Sequence, residues 1–93
     1  MWVRNQEVSF PAAKADEAIT HVRDTAVLRF DGDGFRGFRL LVDRPEGRAL
    51  EVSYWDSEEA VFAAEARDVG DAADLPEGTI LRTNYYELAV DSA

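Results

Sequence analysis

Few side chains in this sequence could do chemistry at neutral pH, and they lie far apart along the chain. His21 is the only histidine, and a single histidine cannot by itself build a zinc site. Cysteine is absent, which excludes disulfides, thiolate nucleophiles and cysteine-based zinc or iron–sulfur centres. No serine lies within a motif typical of a catalytic triad. His21 is therefore either the one conventional base or an ordinary histidine on the polar flank of a helix.

Two further residues complete the predicted catalytic set. Asn5 lies within a predicted strand, where asparagine is uncommon, so its amide is expected either in a pocket or at a strand edge. Trp55 ends another predicted strand, and its indole is either a catalytic group or a wall of the core or pocket. In a pocket, Asn5 would orient the substrate or stabilise an oxyanion by hydrogen bonding.

Aromatic side chains are numerous enough to line a pocket for a flat ligand. Tyr54, Phe62 and Tyr86 are the predicted ligand-binding residues, although the same rings would suit a hydrophobic core. The second predicted helix is rich in alanine, which would either let it approach the sheet closely or leave space beneath it.

Two motif-like stretches between residues 31 and 37 do not indicate a cofactor. Gly32-Asp-Gly-Phe-Arg-Gly37 has the spacing of a dinucleotide-binding loop, but it follows a helix and precedes a strand, the reverse of the required order. Asp31-Gly-Asp33 resembles the start of a calcium loop, but Phe35 and Val42 occupy positions that need oxygen ligands. We therefore expect no metal and no cofactor.

The first half of the chain predicts a strand, a helix and a second strand. Residues 2–10 have strand composition and are ended by Pro11. Apolar residues recur at helical spacing from Ala12 onward, and glycines in residues 31–34 are typical of a helix end. A strand is then predicted for residues 35–43.

The second half predicts a hairpin partner, a helix and a last strand. Pro45 and Gly47 favour a tight turn before a strand over residues 48–55. Asp56, three residues before a glutamate, is predicted to cap a helix that stops near Gly70. Residues 79–90 have strand composition.

The resulting β-α-β-β-α-β order predicts one α+β domain over residues 1–93, a ferredoxin-like four-stranded antiparallel sheet with two helices on one face. On the third strand, Leu50, Val52 and Tyr54 point to one face, and Ala49, Ser53 and Trp55 point to the other, where Glu51 is the only charged residue. Both faces are thus suited to burial. Since helices cover only one of them, a homodimer is expected.

Charge and hydropathy exclude several partners. Ten lysines and arginines against nineteen acidic residues give a net charge of −9, which disfavours nucleic acid and anionic lipid surfaces. No apolar run is long enough to span a membrane, and the N-terminus lacks the pattern of a signal peptide. A cytoplasmic location is expected.

At this point the chain resembles the antibiotic biosynthesis monooxygenase family of dimeric α/β-barrel proteins. The stretches responsible are Gly34-Phe-Arg-Gly37, the hairpin from Leu41-Val-Asp43 to Gly47, and Tyr54-Trp-Asp-Ser-Glu-Glu-Ala60. The resemblance implies a pocket between the sheet and its own helices. It also implies oxygenation of polycyclic aromatic phenols or anthrones without metal or flavin, the substrate supplying the electrons.

Carried over residue by residue, the resemblance matches Trp55 to a tryptophan at the end of the third strand. Some cofactor-free members have an asparagine where this chain has Glu51, and a tyrosine where it has Val61.

The family also includes heme-degrading monooxygenases. Asn5 is similar to their polar residue on the first strand. Ala63 and Ala64 stand where their catalytic tryptophan would lie, and no histidine follows.

The function that the resemblance implies is a cofactor-independent monooxygenase of a small aromatic substrate. The alternative is a non-catalytic domain of the same dimeric fold that binds a small molecule or a partner.

Overall fold

The computed structural model describes residues 1–29, 32–66 and 77–92. The elements are β1 (Trp2–Ser9), α1 (Ala15–Arg29), β2 (Phe35–Asp43), β3 (Arg48–Trp55), α2 (Glu58–Ala66) and β4 (Thr79–Glu87), with one 3₁₀ turn (Ala12–Lys14) before α1. The strands form one antiparallel sheet in the order β2-β3-β1-β4. The predicted ferredoxin-like fold is confirmed. The predicted helix ends at Asp31 and Gly70 lie outside the described residues.

The β2–β3 hairpin closes through Gly47, whose φ of 64° is in the left-handed region that glycine adopts easily. The Gly47 amide donates to the Arg44 carbonyl at 3.2 Å, and the Gly47 carbonyl accepts from the Phe10 amide at 2.9 Å. The turn therefore also anchors the chain segment that leads from β1 to α1. A side chain at this position would meet the Phe10 carbonyl oxygen.

The start of α2 differs from the prediction in its capping residue. Ser57, not Asp56, is the capping side chain, since its Oγ accepts from the Ala60 amide at 3.2 Å. The Asp56 carboxylate instead accepts two hydrogen bonds from the guanidinium of Arg36, on β2. Arg36, which is distant in sequence, therefore binds the side chain that local spacing predicts as the cap.

The two helices lie on the same side of the sheet, which we call the inner face; the opposite side is the outer face. Because paired residues of an antiparallel sheet point the same way and successive residues alternate, the strand register assigns every side chain to a face. The inner-face rows across β1, β3 and β2 are Trp2–Trp55–Phe35, Arg4–Ser53–Phe38, Gln6–Glu51–Leu40 and Val8–Ala49–Val42.

The buried apolar residues form two separate clusters on the inner face. The cluster beneath α1 consists of Val8, Phe10, Ala15, Ala18, Val22 and Ala49. The cluster beneath α2 consists of Trp55, Val61 and Ala64. They occupy opposite ends of the sheet, and the two middle rows lie between them.

Among the described helices, none has both the length and the apolar character that crossing a bilayer requires.

Candidate functional site

The middle of the inner face is polar and almost completely buried. Gln6 is 2% exposed, and Glu51 and Ser53 are each 1% exposed. Arg4, whose side chain is 11% exposed, and Thr83, which pairs with Gln6 from β4, complete what we call the inner polar band. Polar groups are costly to bury unless they find partners, so their contacts decide what this band can do.

One amide joins a guanidinium to a carboxylate in this band. In the amide orientation that satisfies its neighbours, the Gln6 nitrogen donates to Glu51 Oε2 at 3.0 Å. The Gln6 oxygen then accepts from Arg4 Nη2 at 3.1 Å and from Thr83 Oγ1 at 3.2 Å. Gln6 therefore holds the Glu51 carboxyl group in place and is itself held from two sides.

Trp55 borders the band and is 1% exposed. Its indole Nε1 donates to Ser53 Oγ at 2.8 Å, and its ring packs edge-on against Phe35 with centroids 5.3 Å apart. A tryptophan with both its ring and its N–H satisfied inside the protein serves well as a rigid wall.

A second polar contact links α2 to the sheet beside the band. Tyr85 Oη donates to the Glu65 carboxylate, 2.6 and 2.7 Å from its two oxygens. Arg4 Nε lies 3.8 Å from Glu65 Oε1, and the rings of Phe62 and Tyr85 are 5.4 Å apart. This contact ties the last turn of α2 to β1 and β4.

The pKa of the Tyr85 phenol is raised, first by partial burial and then by the hydrogen bond and negative charge of Glu65, with Arg4 opposing. The folded state therefore favours the neutral phenol. This stabilisation is complete below the ordinary tyrosine pKa of about 10 and is lost as the pH rises through the folded-state value. We expect one late step in an alkaline absorbance titration, which Tyr85→Phe removes and Glu65→Gln moves to lower pH.

Tyr86→Phe is the matched control, because Tyr86 lies on the outer face and should leave the late step in place. A late step that survived in Tyr85→Phe would contradict this assignment.

An apolar groove lies beside the band, between α1 and β2. It has a volume of about 510 Å³, and its lining residues are Ile19, Val22, Arg23, Phe38, Leu40, Val42 and Arg44. Leu40 pairs with Glu51, and Phe38 pairs with Ser53, so the groove floor adjoins the band in two rows. We call this cavity the α1–β2 groove. Its size is in the range of small-molecule sites.

The structure brings only part of the predicted catalytic set to the inner face. Trp55 lies there, whereas Asn5 pairs with Val52 and Asn84 on the outer face. The Asn5 Oδ1 atom is buried and has no hydrogen-bond partner among the described residues.

His21 lies on the helix-covered side of the sheet, where it is half-buried on α1. Its Nε2 is likewise buried without a partner in the described part of the chain.

The three predicted ligand-binding residues also separate. Tyr54 and Tyr86 both pair with Val3 on the outer face, where Arg39 lies over the Tyr54 ring, 5.4 Å from its centroid. Phe62 is on α2, 47% exposed, and contacts Tyr85. The structure therefore does not gather these rings into one pocket.

Sequence reasoning missed the residues that form the band. The sequence identifies Glu51 as the one charged residue on the Trp55 face of the third strand and as a departure from the family pattern, without assigning it a role, and it singles out Asn5 rather than Gln6. A signal was present on β3, where Glu51 shares its alternation with Ala49, Ser53 and Trp55, all buried. A charged residue at a position that should be buried is itself informative.

Comparisons with known sequences give distant, uncharacterised relatives. No protein-family model matches the chain. It is 35% identical over 65 residues to the uncharacterized protein Rv2557 of Mycobacterium tuberculosis, covering 69% of this chain and 29% of that protein. It is 30% identical over 93 residues to the uncharacterized protein Rv2558 of the same organism, covering 97% of this chain and 39% of that one. The chain thus spans less than half the length of either relative.

Comparisons with solved structures are more informative. The heme-degrader MhuD of Mycobacterium tuberculosis, solved with two hemes in its active site, is 27% identical with a TM-score of 0.78, and the match covers 100% of both chains. A protein of Deinococcus radiodurans, provisionally assigned as an antibiotic biosynthesis monooxygenase, shares the fold at 19% identity with a TM-score of 0.63, covering 100% of this chain and 97% of that one. The chain therefore has the fold of both proteins, which agrees with the resemblance to the antibiotic biosynthesis monooxygenase family that its sequence predicted.

Proposed function

We propose that this domain is a cofactor-independent monooxygenase that takes a small aromatic substrate of the phenol or anthrone type into the α1–β2 groove. The observation that carries the proposal is the groove itself, which has an apolar floor of Phe38, Leu40 and Val42. That floor lies directly beside a buried polar band, in a fold that the chain shares with the heme-degrader MhuD. An apolar cavity next to a few fixed polar groups is the usual form of a small-molecule site.

The proposed reaction needs no reductant other than the substrate. An anthrone loses a proton from its methylene carbon, and the resulting carbanion combines with O2 to form a peroxide. The peroxide then eliminates water. The methylene becomes a carbonyl that contains one oxygen atom of O2, and the second oxygen leaves as water with the two methylene hydrogens. Binding of the reacting carbon against the apolar floor of the groove favours this sequence because it shields the carbanion from reprotonation by bulk water.

Two of the three predicted catalytic residues, Trp55 and His21, lie on the helix-covered side of the sheet, although neither lines the groove itself. We propose Trp55 as a rigid wall at the end of the band and His21 as a polar group presented from α1. Asn5 is proposed to serve the outer face instead, because the strand register directs it away from the groove.

Heme, the ligand of MhuD, does not fit the residues present. The only histidine of the chain, His21, lies on α1, whereas α2 has only alanines at positions 63 and 64. Ala64 lies on the buried face of α2 and packs in the cluster with Trp55, so the space between α2 and the sheet is filled there. The centre of the inner face also holds the buried carboxyl group of Glu51, which is unsuited to the apolar plane of a porphyrin. Adding hemin should give no saturable shift of its Soret band.

We also propose that the domain is a homodimer formed through the outer face. Leu41 is 54% exposed and Tyr86 is 52% exposed there, beside Val3, Leu50 and Val52 on the same face. Exposed apolar groups of this extent favour association. We expect sedimentation velocity to give twice the 10.4 kDa chain mass, and Leu41→Asp to shift the protein to monomer.

The control for this surface is Phe62→Asp, an apolar residue of similar exposure on the helix side, which should leave the dimer intact. A wild-type protein that sediments as a stable monomer would exclude the interface. The cytoplasmic location stays a prediction of the sequence.

The alternative, a non-catalytic ligand-binding domain, is favoured by one observation. Gln6 and Glu51 are at most 2% exposed and hydrogen-bonded to each other, an arrangement that can also be purely structural. The two functions differ in whether a bound ligand reacts with oxygen.

Oxygen uptake separates the two functions. With anthrone as the probe, we expect consumption of one O2 per anthrone, faster than the uncatalysed reaction, with anthraquinone as the product. Ile19→Trp, which fills the groove from α1, should abolish the increase. Saturable quenching of tryptophan fluorescence by anthrone without oxygen uptake would favour the binding domain, and neither effect would reject both functions.

A further inference from the structure

Glu51 is the most costly residue of the inner face to bury, and packing alone does not require it. It is 1% exposed on the central strand β3, between Leu40 on one side and Gln6 on the other. An apolar side chain of similar size would avoid the penalty of burying an ionisable group. Such groups concentrate at functional sites.

The surroundings of Glu51 hold its carboxyl group still. The Gln6 amide nitrogen donates to Oε2 at 3.0 Å, and the Gln6 oxygen is itself fixed by Arg4 and Thr83. The carboxyl group therefore has a defined orientation, which proton transfer to a positioned base requires.

Glu51 also lies next to the proposed substrate cavity. Its cross-strand neighbour Leu40 lines the α1–β2 groove, and directly opposed residues have Cβ atoms only about 5 Å apart. A ligand that displaces the Leu40 side chain would bring its reacting carbon toward the Glu51 carboxyl group.

We propose that Glu51 is the base that takes the proton from the substrate and that Gln6 is its positioning residue. This inference rests on the proposed function. The carboxylate of Glu51 accepts one proton from the methylene carbon of an anthrone, or from the hydroxyl of a phenol. The electron pair of the broken bond stays on the substrate, where it becomes available to O2.

Charges of both signs lie beside the groove. Glu51 and Glu65 lie near the guanidinium of Arg4, whereas Arg23 and Arg44 line the groove itself. The proposed base requires that the substrate carry a weakly acidic C–H or O–H bond.

Exchange of the anthrone methylene protons for deuterium, in D2O without oxygen, isolates the proposed proton transfer from oxygenation. We expect the wild-type protein to accelerate this exchange over buffer. Glu51→Gln, which keeps the shape of the side chain, should lower the accelerated rate by about 10²- to 10⁴-fold. Binding of anthrone, measured by tryptophan fluorescence, should change by no more than about threefold.

Two further variants complete the experiment. Glu46→Gln makes the same chemical change in the exposed hairpin turn and should exchange like the wild type. Gln6→Leu keeps the carboxyl group but removes its positioning amide; it should slow exchange about tenfold and move the acidic limb of the pH profile to higher pH. A merely structural Gln6 would not move that limb.

The possible outcomes separate this inference from the proposed function. Exchange by the wild type without oxygen uptake in air would overturn the oxygenase function and leave Glu51 as the base. Oxygen uptake with equal exchange by wild type and Glu51→Gln would overturn Glu51 and leave the oxygenase function. Loss of exchange in His21→Gln, with Glu51→Gln unaffected, would assign the base to His21. No acceleration by the wild type would overturn the inference outright.

Discussion

Replacing Trp55 with alanine is expected to lower the free energy of unfolding by about 3 to 5 kcal/mol, the range for a buried tryptophan. Trp55 is 1% exposed and forms the centre of the cluster beneath α2. Its loss would open a cavity beside Phe35 and leave the Ser53 hydroxyl without its indole donor. In a domain of this size, each kcal/mol lowers Tm by about 4 to 8 °C. Thermal unfolding followed by circular dichroism measures the effect.

Phe62→Ala is the matched control for this prediction, because it removes an aromatic ring that is 47% exposed. We expect it to cost less than about 1 kcal/mol, apart from its contact with Tyr85. Trp55→Phe retains a ring in the cluster and should remain folded, which lets the proposed role of Trp55 in the pocket be measured separately. A Trp55→Ala protein as stable as the wild type would show that the cluster beneath α2 does not hold the fold together.

Gly47→Ala is expected to destabilise the domain by more than about 2 kcal/mol, for two reasons that add. The residue has φ of 64°, and left-handed backbone costs a residue with a Cβ atom about 1 to 2 kcal/mol. A Cβ atom would also lie 2.2 Å from the Phe10 carbonyl oxygen and 3.2 Å from the Ala12 nitrogen. Relief would require the hairpin to move away from the chain after β1. Chemical denaturation gives the loss directly.

Gly47→Asn distinguishes the two causes. Asparagine tolerates the left-handed region better than alanine, but its Cβ atom meets the same carbonyl oxygen. If the close approach to Phe10 dominates, asparagine should be nearly as harmful as alanine. Recovery of most of the stability with asparagine would assign the cost to backbone conformation alone.

Local signals were sufficient to predict much of the fold. The bounds of β2 and β3, Phe35–Asp43 and Arg48–Trp55, agree with the prediction because Pro45 and Gly47 mark the hairpin turn between them. The capping residue of α2, in contrast, could not be predicted from local signals. Asp56 and Ser57 both carry an oxygen suited to capping, and the choice between them depends on Arg36, twenty residues earlier.

The candidate site was harder to predict for a related reason. On β3 the alternation is clear, and it correctly places Glu51 on the face of Trp55. On β1 both faces mix polar and apolar residues, so the sequence carries no signal that directs Gln6 inward and Asn5 outward. The pairing register with β3 places Gln6 on the inner face and Asn5 on the outer face. That register joins residues more than forty positions apart.

The separation of the apolar residues into two clusters has a consequence for how this domain can change. Each cluster secures one end of the sheet to its own helix, and the polar band between them contributes little of the apolar burial. Substitutions in the band can therefore alter chemistry while both anchors stay intact. In evolution or in protein design, the residues of the band can therefore be exchanged while the two clusters continue to stabilise the fold.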